Sequence, residues 1–363
     1  MVKSEGVVKS EGRMVKSEGV VKSEGRMVKS EGVVKGKGRM PRAQMTRDLL
    51  AQPARLVAPR IARQLLRTLE RERARLERAG DEEALHDFRV ALRRLRSWLR
   101  AFQSVFVGRV HGTSRRALRD LAHATNDVRD AEVLLAWLAV QPGLAAGSRP
   151  GADALAARIR GEGRAASLLF ARRLRRDFER TARRLERELA SDPAPGARRW
   201  AQAGPVMGTL VADLMGAQAL ELEATLRRVH SLEDGVDAHR ARIAGKRLRY
   251  LLEPFTAARR SGVIERLQRF QDALGEWQDA RVLLTRIGSE RAKVERRRRA
   301  GGSRDPRIGL DALATRARER LARAFTAFDR EWLRGRGVQR IFTALRSFSK
   351  SAAPGVSPRE LRS

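Results

Sequence analysis

Five residues between His86 and Arg100 have the types and spacing to grip an anion: His86, Arg89, Arg93, Arg96 and Arg100. At the roughly 100° per residue of an α-helix they fall within an arc of about 80°. Guanidinium forks meet phosphate oxygens two at a time, so such a stripe suits a phosphate-bearing ligand. Phe88, Leu92, Leu95, Leu99 and Phe102 fall on the opposite side, with Ala91 and Trp98 at its margin. One helix therefore carries cations on one face and a core-forming surface behind them.

The pattern returns 153 residues later, where HRARIAGKRLRYLLEPF (239–255) matches HDFRVALRRLRSWLRAF (86–102). Eight of the 17 positions are identical, among them His86/His239, Arg89/Arg242, Arg94/Arg247 and Arg96/Arg249. Val90/Ile243 and Arg93/Lys246 are conservative pairs. A second match links ATNDVRDAEVLL (124–135) to ALGEWQDARVLL (273–284), with Asp130 opposite Asp279. These two matches indicate an internal duplication. A carboxylate inside a phosphate site repels its ligand, so Asp130 and Asp279 are expected to hold a stripe arginine in place. Asp81 and Asp234 stand at equivalent places before the two stripes and are candidate N-caps.

The elements that must position these residues read as helices throughout, with no strand-like alternation. In the first half they are expected at about 53–80, 81–102, 112–140 and 152–190. In the second they fall near 197–231, 236–259, 262–288 and 308–333, with a short last one at 337–347. The expected fold class is all-α: an internally duplicated helical domain over 53–347, made of two four-helix bundles (53–191 and 197–347) related by pseudo-twofold symmetry. ERRRRAGGSRDP (295–306) reads as an exposed loop and 348–363 as a frayed tail.

Residues 1–39 are three copies of a 13-residue unit, MVKSEGVVKSEGR twice and then MVKSEGVVKGKGR. Such Gly-, Lys- and Glu-rich sequence cannot bury a core, so a disordered tail is expected, with the natural start at Met40 or Met45.

Composition narrows the function further. The net charge of +34 favours a polyanionic partner. Of the basic residues 67 are Arg and 10 are Lys, and seven of those lysines precede residue 40. With no cysteine, disulfides, zinc–thiolate sites and thiol catalysis are excluded. The strongest apolar run, Val133 to Val140, is eight residues, against about 20 for a membrane span. No secretory signal is visible, and a cytoplasmic protein is expected. A single Tyr and 5% aromatics are poor equipment for stacking on single-stranded nucleic acid.

With the paired His-plus-basic helices and paired Asp segments, the chain resembles the CHAD family, the conserved histidine α-helical domains. The resemblance rests on HDFRVALRRLR with its echo HRARIAGKRLRY, and on VRDAEVL and LGEWQDARVL, and spans about 53–347. It implies a helical, duplicated protein that binds inorganic polyphosphate, is associated with polyphosphate granules, and has polyphosphate-metabolising enzymes as further partners. It also implies an anion site of His86, Arg89, Arg93, Arg94 and Arg96 in one half and His239, Arg242, Lys246, Arg247 and Arg249 in the other, with Tyr250 beside them.

Glu253 stands where the first stripe has Arg100, so the second stripe ends in a negative charge. The rival reading is a generic basic helical protein for which nucleic acid is a nonspecific ligand; no reader motif supports it. Glu70-Arg71-Glu72-Arg73 has the look of a metalloenzyme E-x-E strand, but it sits in a helical pattern where alternate residues do not share a face. No catalytic residue, metal ligand or cofactor is expected.

Overall fold

The computed structural model describes residues 44–352 apart from 79–80, 82, 142–145, 192–203, 257–261 and 298–305. The 1–39 tail and the last residues, 353–363, lie outside them, as does most of the expected 295–306 loop. Among the described residues the fold is all-α, and its only extended pairing is an isolated bridge between Pro53 and Val206.

A short α1 (Gln44–Ala51) precedes α2 (Ala54–Arg75), which continues through Pro59. The striped segments are α3 (Ala84–Ala101) and α8 (Gly235–Leu252). Between them lie α4 (Gly112–Ala124), α5 (Asn126–Ala139), the 42-residue α6 (Arg149–Ala190) and α7 (Met207–Leu226). The chain ends in α9 (Gly262–Arg297), α10 (Arg307–Phe328), a π-helical turn at Asp329–Leu333 and α11 (Gly337–Ala352).

Three local outcomes differ from expectation. The single helix expected over 112–140 is two helices hinged at Thr125, whose hydroxyl and N–H both bond back to the Ala122 carbonyl. That back-bonding competes with the regular helical pattern and breaks it. At the matched position the second half has Leu274, and α9 runs through unbroken.

Asp234 takes the N-cap position of α8, but its carboxylate accepts from the His230 and Ser231 N–H groups of the turn before, not from the helix. Asp81 takes both arms of Arg75, at 2.9 and 3.0 Å, while the Ala84 N–H bonds its backbone carbonyl at 3.1 Å. The N-cap position of α3 falls to Glu83, and the Asp81 carboxylate is engaged by an ion pair instead of by the helix. The short helix α1 was not anticipated; it packs on α7 through Leu49 and Leu50, which are buried.

The apolar faces do not form one core per half. The main core runs across the expected boundary, joining Phe88, Leu92, Leu95 and Leu99 of α3 to Ala244, Leu248 and Leu252 of α8. Trp98 stacks on Phe102 at 4.2 Å, lies 5.9 Å from Phe255 of the second half, and donates its indole N–H to the Ala58 carbonyl. A second, smaller core mixes α5 and the start of α6 with α9 and α10. Its closest approach puts Gly151 against Gly309: a Cβ on either would lie within about 2 Å of a backbone oxygen, so only glycine fits.

Where α2 and α7 begin, Ala54 donates to the Pro205 carbonyl (3.0 Å) and Met207 to that of Gln52 (2.8 Å). The pairs Gln52/Pro205, Pro53/Val206 and Ala54/Met207 are each 153 residues apart, the spacing that separates His86 from His239.

Candidate functional site

The amphipathic pattern of α3 survives folding: its apolar face is buried, while His86, Arg89, Arg93, Arg94 and Arg96 stay half-exposed. The eleven residues singled out from the sequence do not gather in one place. They fall into three neighbourhoods.

The first is built by both halves. Arg89 donates to Thr125 Oγ1 at 2.5 Å, the same hydroxyl that bonds back to Ala122 at the break between α4 and α5. Burial, then the charge of Arg93, pushes the Arg89 guanidinium down to about 10, with Asp130 pulling the other way. Arg129 acts on Arg89, on Asp130 and on Asp279 of the second half. Asp279 in turn feels Arg242, Arg320, Arg129 and Lys246, and it raises Asp130.

His239 sits in the same field. Burial, then Arg242 and Lys246, hold it below its ordinary value of 6.5. Burial is also the leading reason that both aspartates titrate above the usual carboxylate range, despite the cations beside them. The α3 stripe (Arg89, Arg93) and the α8 stripe (His239, Arg242, Lys246) thus share one electrostatic neighbourhood. His86, one turn before Arg89, lies on the same face of α3.

In this neighbourhood the cations Arg89, Arg93, Arg129, Arg242, Lys246 and Arg320 are set against Asp127, Asp130, Asp279 and Glu132. Their excess is suited to a multiply charged anion. Arg129, Thr125 and Arg320 lie outside the two stripes. Arg129 adjoins Asp130 within the matched Asp segment, and that was its signal. Arg320 comes from α10, where no matched motif exists.

The second neighbourhood is an ion-pair cluster. Arg94 reaches across to Glu253 with Nε and Nη2, at 2.7 and 3.3 Å. Burial opposes the Arg94 charge, but Glu253 overrides it and holds the guanidinium above its ordinary value. Arg249 also points at Glu253 (3.5 Å), donates to Tyr250 Oη (3.1 Å) and lies over the Tyr250 ring, 4.9 Å from its centre. Arg249 and Tyr250 are buried, 6% and 4% exposed, which sets them apart from any open stripe. The carboxylate that interrupts the second stripe therefore fastens one half to the other.

The third neighbourhood holds Arg96 and Arg247. Both guanidiniums are lowered, first by burial; then Arg119 and Arg100 act on Arg96, and Arg100 acts on Arg247. Asp120 and Glu221 oppose these effects. Arg100 is exposed at the end of the α3 stripe.

Two further features bound the chemistry. Among the described residues no group of three or more His, Asp or Glu is arranged to hold a metal ion. No helix among them is long and apolar enough to cross a membrane.

Against known proteins, the family model of the CHAD domain matches residues 60–288, more than half of the chain. The chain belongs to the CHAD family. Its fold is similar to the crystal structure of the CHAD domain from the plant Ricinus communis, with a TM-score of 0.57 and 20% identity. That match covers 87% of this chain and 97% of the plant one. It is also similar to PptA from Streptomyces chartreusis, with a TM-score of 0.58 and 19% identity over 80% of this chain and 99% of that one. Among curated proteins, none matches the sequence. His86, His239, Asp130 and Asp279 all lie inside the matched range.

The Arg94–Glu253 pair makes a direct prediction. Its side chains are 40% and 20% exposed, so its worth is that of a partly screened, two-pronged pair. A double-mutant cycle with Arg94→Ala and Glu253→Ala, read by chemical denaturation, should give a coupling of about 1 kcal/mol. Additive effects would show that the pair does not tie the halves.

Proposed function

We propose that this protein binds inorganic polyphosphate, without catalysis, in the basic neighbourhood shared by α3, α5, α8, α9 and α10. One observation carries the reading: Arg89, Arg93, Arg129, His239, Arg242, Lys246 and Arg320, drawn from both halves, act on a common pair of carboxylates and on one another. A linear phosphate chain offers closely spaced charges with no bases to read. Its binder needs spaced guanidiniums and no stacking platform. The only Tyr of the chain, Tyr250, is buried against Arg249 and unavailable for stacking.

In this reading Asp130 and Asp279 position the arginines. Each carboxylate lies by the stripe arginine of its own half, Arg89 for Asp130 and Arg242 for Asp279, and limits repulsion before the ligand arrives. Bound phosphate then supplies the remaining negative charge. Arg94, Arg249 and Tyr250 serve the joint between the halves and make no ligand contact. Glu70 and Glu72 lie two apart on α2 and so point in different directions, and Glu72 is engaged by Arg75 at 2.6 Å. Neither fits a catalytic pair. Granule association and the recruitment of polyphosphate-metabolising enzymes extend the same proposal.

The test is titration of the protein with long-chain polyphosphate, single-stranded DNA and heparin in about 0.15 M salt, where distant surface charges are largely screened. Polyphosphate should bind most tightly. Arg89→Ala, Arg93→Ala, Arg242→Ala and Lys246→Ala combined should lower its affinity by at least about 100-fold and flatten its salt dependence. Equal binding of the three polymers, unchanged in the variant, would leave only a generic basic surface.

A pH dependence follows from His239. Bound phosphate favours the imidazolium and raises the depressed value, so the complex takes up a proton. Affinity should rise as pH is lowered through 6.5 towards the free-state value, and His239→Gln should remove that rise. A slope that persists in the variant would assign the proton to another group.

A further inference from the structure

The spacing of 153 residues pairs Arg94 with Arg247 and Arg100 with Glu253. If the two halves are related by a twofold, the neighbour of Arg94 on one side of the axis maps onto the neighbour of Arg247 on the other. The backbone bridge between α2 and α7 meets this relation: residues 153 apart face one another at Pro53 and Val206, and the two hydrogen bonds exchange donor and acceptor. Helices α3 and α8 also pack against each other.

On one side the relation yields the ion pair of Arg94 and Glu253. On the other side the relation puts Arg100, the counterpart of Glu253, opposite Arg247. The charge of Arg100 is felt at Arg247, as this relation requires. The same position thus holds a closed salt bridge on one side of the axis and two like charges on the other. Arg96, one turn from Arg100, and Arg119 of α4 add to the second. The carboxylates there are Asp120, which is bonded to Arg119 at 3.3 Å, and Glu221.

From this asymmetry we infer that Arg100 and Arg247 form a second anion seat, through which a polyphosphate chain longer than the shared neighbourhood leaves it on one side only. The inference rests on the proposed function for the nature of the ligand. Two facing guanidiniums repel until an anion lies between them, and a phosphate unit can accept from both forks at once. At Arg94 the seat is already filled by Glu253, so no phosphate is drawn there. Polyphosphate bound in the shared neighbourhood accordingly has one favoured continuation, past Arg93 and Arg96 along the α3 stripe to Arg100. The second stripe offers none beyond Lys246.

The variant Arg100→Glu tests this directly, because it places opposite Arg247 the carboxylate that Arg94 already has. Its fold is checked by circular dichroism and thermal melting, and the new ion pair should leave the melting temperature unchanged or higher. Two probes are compared: tripolyphosphate, which the shared neighbourhood alone accommodates, and long-chain polyphosphate. Affinity for the long chain should fall about tenfold with tripolyphosphate unchanged. Arg183→Glu, an equal change of charge on exposed α6, should alter neither.

An equal loss for both probes, or the same loss in Arg183→Glu, would reduce the effect to overall charge and overturn the second seat. No loss in Arg100→Glu while the variant with Arg89, Arg93, Arg242 and Lys246 changed to Ala loses binding would overturn the seat and leave the proposed function standing. Undiminished binding in that fourfold variant would overturn the proposed function instead.

Discussion

Helix α3 lies on α8 with its apolar side sealed into the main core, and each helix carries a row of cations away from that seam. Bringing two such rows together is electrostatically costly, and nothing in the rows themselves favours it. The gain comes from behind them. Phe88, Leu92, Leu95, Trp98 and Leu99 on one helix and Ala244, Leu248 and Leu252 on the other are all but excluded from solvent. Each fully buried large side chain contributes on the order of 2 kcal/mol, enough collectively to hold like charges near one another. The basic neighbourhood is therefore preorganised by packing, and under the proposed function its repulsion is what bound polyphosphate would relieve.

The same crossing explains why some basic residues of the stripes are not alike in role. Arg94 and Arg249 lie on the flank of the seam, where Glu253 is within reach, and they become part of the joint. Arg89 and Arg242 lie by the carboxylates of α5 and α9 and stay half-exposed, and the proposed function gives them the ligand. A stripe read on a helical wheel gives direction only to within one face. Which member meets a ligand and which meets a partner helix is decided by the crossing.

The sequence made the helices and both striped faces legible because amphipathic periodicity and the paired motifs act locally. It also marked Asp130 and Asp279 as partners of stripe arginines. The break at Thr125 was not legible, since a single Thr seldom interrupts a helix unless its side chain bonds back to the preceding turn. Arg320 was not legible either: its place beside Asp279 depends on how α10 packs along α9, a long-range contact with no local signature. Arg94, Arg249 and Tyr250 look like site residues in sequence because they fall within the repeated motif. The ion pair that Arg94 makes with Glu253 of the other half, and the burial of Arg249 and Tyr250, are long-range outcomes that the motif does not carry. The shared core had no signal in the pattern of helices, because apolar faces do not say which other face they meet.

The central claim is that the two halves contribute to one site. The most direct test counts sites: isothermal titration of the protein with tripolyphosphate, repeated on Arg89→Ala and on Arg242→Ala. One site per chain, weakened by either single substitution, is the predicted result. Two sites per chain, one lost with Arg89 and the other with Arg242, would mean that each half binds on its own and would contradict the account.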